Sequence, residues 1–487
     1  MRRLPLLSNP VRMAAWAVSG SGALLLLAGC GSSGGPAGPA GTTQATLMIT
    51  STNNAQIPVF KMNLQGVSLV ASDGTVVSLL LKPQTVELGS INGVARPLAS
   101  VSIPQGSYAS VNLSYGSSGF VVIDRSSGQG NIDIGNYPLS LPAGMPSGPN
   151  ASATVKLTLT TPLVVTGSAM GLLLNVNIPK SVTYTPYFSG SSAMTGGNTT
   201  YSPVYTLSGV TLAAQPSTML DGMVEGVHGL VTASAGGELA MTSDSGSTLN
   251  FTTSSATTFA GVSGAAAPPA GSYVAVNAAL QSDGTMLATL VQTEATTLAY
   301  DMVGPILEYT GQKYLETSSR EQQGPNLPNG TGFIGNEIEF SVPPQFEIAW
   351  LGGTAPAGLS FTPGLNVNAV AVGQNLATPI AALQVTGLVV PAASTVTLEA
   401  QTIDGTITGM STANGQTSYQ VSLFPNDLTA IFGTTASFTV YTTAETHTIT
   451  ASALSVGSVG RFHGLLFNNG GTLSMVASVI EDGVPDA

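Results

Sequence analysis

From Ala45 onward the apolar positions recur every second residue, not every third or fourth. Ala45–Ser51, Val67–Val70, Val76–Leu81, Ala99–Ile103 and Tyr108–Tyr115 are β-branched or Leu-rich runs bounded by turn residues, the pattern of short strands with one buried face. Ser72-Asp73-Gly74 and Pro104-Gln105-Gly106 predict tight hairpins, because glycine takes positive φ without strain. Gly116-Ser117-Ser118-Gly119 reads as another. With Ala153–Leu159, Leu163–Val165 and Gly171–Ile178 the segment 45–215 holds eight to ten strands, and a β-sandwich is the economical way to bury them. Residues 180–215 then break the alternation, scattering Tyr184, Tyr187, Phe188, Tyr201 and Tyr205 among Ser, Gly and Pro. The four tyrosines are a candidate ligand surface of the kind that stacks on sugars. The competing reading packs them against the end of the sandwich or the next domain.

The second half repeats itself. Gly271-Ser272-Tyr273-Val274 leads to Met286–Val291 as Gly460-Arg461-Phe462-His463 leads to Met475–Ile480, an offset of 189 at both ends. Upstream, Gly229–Val231 and Thr248–Phe251 correspond to Gly405–Ile407 and Ser437–Val440. A divergent copy lies between, through Met302–Leu307, Ile338–Val342, Phe346–Trp350, Val372–Gln374 and Val396–Ala400. Repetition at this scale decides architecture. Units of five or six short strands predict small closed barrels, which leave no strand edge to aggregate. The expected fold is all-β: a β-sandwich over 45–215, then about three tandem small β-barrel modules at 223–297, 301–400 and 401–487.

Composition agrees with that architecture and narrows the function. Charged residues are only 7 % of the chain, where about 25 % is usual. With 12 Lys+Arg against 24 Asp+Glu the chain lacks the basic footprint that nucleic-acid binding requires. Gly 58 and Pro 30 supply the turns.

The first thirty residues differ from the rest. Arg2, Arg3 and Arg12 make a positive region, Met13–Val18 and Ala23–Leu27 an apolar one, and Leu27-Ala28-Gly29-Cys30 closes it with small residues before the single cysteine. The apolar stretch, broken by Ser19-Gly20-Ser21-Gly22, falls short of the ~20 residues a membrane span needs. This segment resembles a bacterial lipoprotein signal with its lipobox. The resemblance implies cleavage after residue 29, lipid attachment at Cys30 and, with Gly31 in place of Asp, an outer-membrane destination. Several acyl chains, each stabilised by about 0.8 kcal/mol per buried CH₂, would make that anchor firm. Gly31–Gly41 then reads as a Gly/Ser/Pro tether within a flexible segment 30–44.

Two further resemblances concern the modules. Val67-Ser68-Leu69-Val70 with Asp73-Gly74, Ile103-Pro104-Gln105-Gly106-Ser107-Tyr108, and Gly171-Leu172-Leu173-Leu174-Asn175-Val176 resemble an uncharacterised N-terminal module of bacterial lipoproteins, across about 45–185. Thr257-Thr258-Phe259 and Asp283-Gly284-Thr285-Met286-Leu287-Ala288 resemble a second uncharacterised family of envelope modules. The 401–487 copy shows no Thr-Thr-Phe. Both resemblances imply a β-rich envelope protein and neither implies a chemistry.

Candidate chemistry is sparse. The three histidines, His228, His447 and His463, are far apart in sequence. His463 reads as an exposed strand residue, His228 as the start of a strand. No Gly-x-Ser-x-Gly elbow accompanies them, and neither Cys-x-x-Cys nor His-Glu-x-x-His spacing occurs. Glu337 and Glu339 alternate on one predicted strand and are the tempting carboxylate pair for a hydrolase. Asp124–Asp133 is Gly-rich but lacks the order of a calcium loop. Thr310–Asn336 concentrates Lys313, Glu316, Arg320 and Glu321 and reads as a solvated loop, with recognition as the alternative. The expectation is a lipid-anchored envelope protein, structural or adhesive and not an enzyme, with no cofactor and no metal. Its partners would be the membrane through Cys30 and an envelope protein or glycan. The alternatives are a glycan-binding surface lipoprotein and a carboxylate-dependent hydrolase.

Overall fold

The computed structural model describes residues 41–52, 57, 59–89, 91, 93–116, 118–124, 133–139, 152–183, 204–205, 210–214, 222–261, 266–294, 300–310, 313–318, 321–323, 336–340, 345–348, 375–380, 382–384, 387–389, 395–413, 415–424, 437–444, 446–449, 453–469 and 472–483. The described chain is nearly all strand. No helix among the described residues is long and apolar enough to cross a membrane.

The first domain uses thirteen strands: β1 (Thr42–Thr52), β2 (Val59–Ala71), β3 (Val76–Ser78), β4 (Gln84–Glu87), β5 (Arg96–Pro104), β6 (Gly106–Gly116), β7 (Ser118–Asp124), β8 (Asp133–Leu139), β9 (Ser152–Val165), β10 (Ala169–Asn177), β11 (Val182–Thr183), β12 (Val204–Tyr205) and β13 (Val210–Ala214). A single turn of helix, α1 (Ile178–Ser181), follows β10, with the Asn177 side chain accepting a hydrogen bond from the Lys180 backbone N–H. One sheet has the order β13-β10-β1-β5; the facing sheet runs β8-β7-β2-β6-β9, with β3 and β4 on the other edge of β2. Leu47, Ile49, Leu172 and Leu174 meet Phe60, Leu64, Leu69, Val111 and Leu113 between them. This is the expected sandwich. The strand estimate was low because short strands such as β3, β11 and β12 leave little pattern to read.

Of the two predicted hairpins one forms: Ser72-Asp73-Gly74 joins β2 to its partner β3, whereas Pro104-Gln105-Gly106 carries the chain from β5 in one sheet to β6 in the facing sheet and makes no hairpin, because the two strands pair with different neighbours. In Ser72-Asp73-Gly74 the Asp73 carboxylate accepts from the Thr75 N–H at 2.9 Å, and these hydrogen bonds hold its pKa below the usual range. Asp283 does the same through the Thr285 hydroxyl and N–H. Gly116-Ser117-Ser118-Gly119 is different: β6 pairs with Leu64–Ala71 of β2 and β7 with Val59–Lys61 of the same strand, so β6 and β7 follow one another along β2 and do not pair as a hairpin.

Barrel 1 comprises β14 (Met223–Ala235), β15 (Glu238–Ser243), β16 (Thr248–Thr252), β17 (Thr258–Gly261), β18 (Tyr273–Leu280) and β19 (Met286–Thr293). Its order is β16-β15-β14-β18-β19, and β16 closes on β19 through a parallel contact, with β17 beside β19. The middle module holds β20 (Tyr300–Thr310), β21 (Lys313–Ser318), β22 (Glu321–Gln323), β23 (Asn336–Phe340), β24 (Gln345–Ile348), β25 (Asn375–Ile380), β26 (Ala382–Gln384), β27 (Gly387–Val389) and β28 (Thr395–Glu399), in the order β23-β21-β20-β25-β28-β24. Barrel 3 comprises β29 (Gln401–Ala413), β30 (Gln416–Leu423), β31 (Ser437–Tyr441), β32 (His447–Ile449), β33 (Val459–Asn469) and β34 (Thr472–Asp482), closed by β31 against β34. Numbered within each barrel, the five-strand ring runs 1-2-3-5-4, as in the five-stranded Greek-key barrels of the oligonucleotide- and oligosaccharide-binding type. The segment read as the solvated loop 310–336 contains β21 and β22 instead, with Lys313 paired opposite Thr310 and β22 paired along β20.

The repeat extends to individual hydrogen bonds and corrects the alignment. Val231 N–H donates to Ser272 O and Gly271 N–H to Val231 O; Ile407 N–H donates to Ser458 O and Gly457 N–H to Ile407 O. Gly271 therefore matches Gly457, both at positive φ (89° and 93°), and not Gly460. The offset is 186 in the fourth ring strand and returns to 189 in the fifth, because the hairpin joining β33 to β34 is three residues longer. The missing Thr-Thr-Phe is also accounted for. Thr257 Oγ1 donates to Ala288 O and accepts from Ser254 N–H; Thr446 Oγ1 donates to Ala477 O and accepts from Thr443 N–H. Thr446-His447-Thr448 is thus the counterpart of Thr257-Thr258-Phe259.

Thr257→Val and Thr446→Val each leave a carbonyl and an amide without their hydroxyl partner, so each should cost about 1–3 kcal/mol. Urea unfolding of the two variants checks this; a loss in one copy alone would contradict the equivalence.

Candidate functional site

Of the buried ionisable side chains among the described residues, Asp404, Arg461, His463 and Glu481 share one junction. Alternation along β33 turns Phe462 into the core of barrel 3 and Arg461 and His463 outward. Opposite Arg461 on β29 stands Asp404, which accepts from Arg461 Nε at 2.9 Å and from a second guanidinium nitrogen at 3.4 Å. Glu481 on β34 faces Arg461 from the other side, also buried. The guanidinium lies against Gly93 of the sandwich, where a side chain would overlap it. Arg461 is therefore enclosed by barrel 3 and a sandwich loop.

His463 makes the second bridge. Its Nε2 lies 2.8 Å from Glu225 Oε2 of barrel 1 and its Nδ1 is 2.9 Å from Thr402 Oγ1. A carboxylate only accepts, so Nε2–H donates to Glu225. Glu225 reaches across because of a β-bulge: the β14–β18 register slips between Val224 and Val227, and Gly226 sits at φ +59°. Asn277 Oδ1 holds the bulge by accepting the Gly226 N–H at 2.8 Å. A bulge re-aims one side chain without unpairing the strand. Here it directs Glu225 away from its own barrel.

A histidine between a carboxylate and a hydroxyl has the composition of a hydrolytic triad. The side chain is only 2 % exposed, however, which leaves no place beside it for a substrate carbonyl. The arrangement is suited to docking. Barrel 1 carries Ala275 and Asn277 where barrel 3 carries Arg461 and His463, so the cluster belongs to one copy of the repeat and not to the shared skeleton. The expectation that His463 is exposed is thus corrected: its partner lies 238 residues away.

His228 sits within β14 and not at its start. Its Nδ1 lies 2.8 Å from Gly226 O and its Nε2 3.4 Å from Glu294, and its ring stacks on Tyr273, whose hydroxyl donates to Asp244 at 2.7 Å. His447 is exposed on β32. Among the described residues no three His, Cys, Asp or Glu side chains are grouped to hold a metal. Glu337 and Glu339 share a face of β23, opposite Thr317 and Leu315. Leu27, Ala28, Gly29, Cys30, Tyr184, Tyr187, Tyr201 and Trp350 lie outside the described residues, and of the four tyrosines only Tyr205 is placed, on β12 opposite Val182. Sequence reasoning missed Glu225; its one signal was Gly226 interrupting the alternation of β14.

Removing one partner of a buried charged pair leaves the other uncompensated, at about 3–5 kcal/mol. Asp404→Ala should therefore destabilise barrel 3 by an amount of that order in urea unfolding. Glu225→Ala and His463→Ala should each loosen the barrel 1–barrel 3 contact and be strongly non-additive in a double-mutant cycle. Additive losses would mean that the two side chains do not act together.

Compared with known proteins, the chain matches no family model and no curated sequence. Among solved structures it is similar to drosophila Unr CSD456, at 10 % identity over 53 % of this chain and 98 % of that one, with a TM-score of 0.13. It is also similar to a multidomain protein with nucleic acid binding domains from Streptococcus pneumoniae TIGR4, at 10 % identity over 52 % of this chain and 72 % of that one, with a TM-score of 0.12. Likenesses that slight carry no argument about what this chain does.

Proposed function

We propose that this chain is a lipid-anchored cell-envelope protein with a structural or adhesive, non-catalytic role, held in the outer membrane through acyl groups on Cys30. The observation that carries the reading is the junction of barrel 3. Five ionisable side chains, Glu225, Asp404, Arg461, His463 and Glu481, lie where barrel 3 meets barrel 1 and the sandwich, in a chain with few charges to spend. They serve to fix domains together.

The N-terminal residues support the proposed location. Arg2, Arg3 and Arg12 precede an apolar stretch that ends at Leu27-Ala28-Gly29-Cys30, and Gly31–Gly41, made only of Gly, Ser, Pro and Ala, leads into β1 at Thr42. Removing residues 1–29 leaves nine basic against 24 acidic residues, an acidic protein that a membrane surface would not attract by charge. Attachment would then depend on the lipid.

Cys30→Ala should abolish lipid labelling and release the protein from membranes on fractionation. Unchanged membrane retention of that variant would overturn the anchor.

A further inference from the structure

We infer that the sandwich is a load-bearing clamp, in which β1 and β10 are drawn past one another in shear when the anchored end is pulled. The inference rests on the proposed anchor, since that is what places tension on the N-terminal end of β1. The topology supplies the rest.

Gln44, near the start of β1, lies opposite Ala169 at the start of β10, and Leu172 lies opposite Ala214, where β13 leaves the sheet. The chain thus enters and leaves this sheet at the same end. Tension between those points acts across the strands. It peels β13, an edge strand with five registered positions, one pair at a time. Once β13 and the segment behind it have been drawn out, the load reaches Asn177 at the far end of β10.

From then on β1 is pulled by its first residue and β10 by its last. In a parallel pair these are opposite ends, so the strands can separate only by sliding. Sliding breaks nine registered positions together, Gln44↔Ala169 to Thr52↔Asn177, where peeling would break them in turn. On its other side β1 is held by β5 over eight positions, so it has no open edge from which to be peeled. The loaded end carries an added pin: Thr43 Oγ1 and Gln105 Nε2 both donate to Gly167 O, at 2.7 and 2.8 Å, tying the turn before β10 to the entry of β1.

Single-molecule pulling tests this directly, because Cys30 is the sole cysteine and serves as a thiol handle in the chain from Cys30 onward made without lipid. With the second handle at the C-terminus, the last sandwich event should need the highest force in the trace. It should release Thr42–Asn177 in one step, roughly 450–490 Å of contour at about 3.3–3.6 Å per residue. Release at or below the force of the barrel events, or in several small steps, would overturn the clamp. The double variant Thr43→Ala with Gln105→Ala should lower that force while the urea midpoint of the unloaded protein hardly moves. A fall in the urea midpoint with the release force unchanged would count against it. Membrane retention of Cys30→Ala would sink the anchor and leave these force traces as they are, so the two failures are distinguishable.

Discussion

The fold depends on one sheet being buried on both of its faces. Leu47 and Ile49 of β1, with Leu172 and Leu174 of β10, face the interior of the sandwich; Met48 and Leu173 point the other way, into the core of barrel 1. That is why each strand carries three consecutive leucine, methionine or isoleucine residues at its centre, Leu47-Met48-Ile49 and Leu172-Leu173-Leu174, where one-sided burial would need only every second position, as in parallel strands covered on both sides. Barrel 1 is consequently not a bead on a string. Leu280 fits against Gly171, the turn at Gly284 abuts Ala169, and the Gln84 side chain donates to both Leu98 O and Ser247 Oγ. At about 25 cal/mol per Å² of apolar surface removed from water, a face of this kind dominates over the few hydrogen bonds at its rim.

Barrel 3 is attached by a different physics. Its contact with barrel 1 and the sandwich includes charged side chains that water would otherwise solvate, and such pairs gain little net free energy after desolvation. Their contribution is selectivity. Two barrels sharing a skeleton would present similar outer faces, and an apolar patch on both would not distinguish one from the other. Ala275 and Asn277 in one copy against Arg461 and His463 in the other make the faces chemically different, and the bulge at Gly226 supplies a carboxylate that only one of them matches.

Much of this was legible in the chain because strands, turns and repeats are local. Asp73-Gly74 and Asp283-Gly284 announce their turns through residues that touch each other, and the paired Met286 and Met475 segments reveal the duplication. What stayed hidden is whatever a distant segment decides. A three-residue extension of one hairpin made Gly460 look like the partner of Gly271, although positive φ and hydrogen bonding assign that role to Gly457. Thr446 escaped notice because its role is set by a hydroxyl bonding Ala477 O and not by a neighbouring Phe. His463 alternates as an exposed residue would, and only Glu225, from another domain, makes it buried.

The two attachments also differ in what they ask of the chain between them. Barrel 1 follows the sandwich after a short connection, so the apolar face is covered at small entropic cost. Barrel 3 returns across the whole middle module, yet loop closure grows only as the logarithm of length, each doubling costing about 0.6 kcal/mol. A contact of modest net strength can therefore hold it, provided that it is specific. A non-specific one would compete with every other exposed strand face in the molecule. A buried, directional cluster at that point, with its arginine, histidine and carboxylates placed on one barrel face and one bulge, meets the requirement that an apolar patch would not.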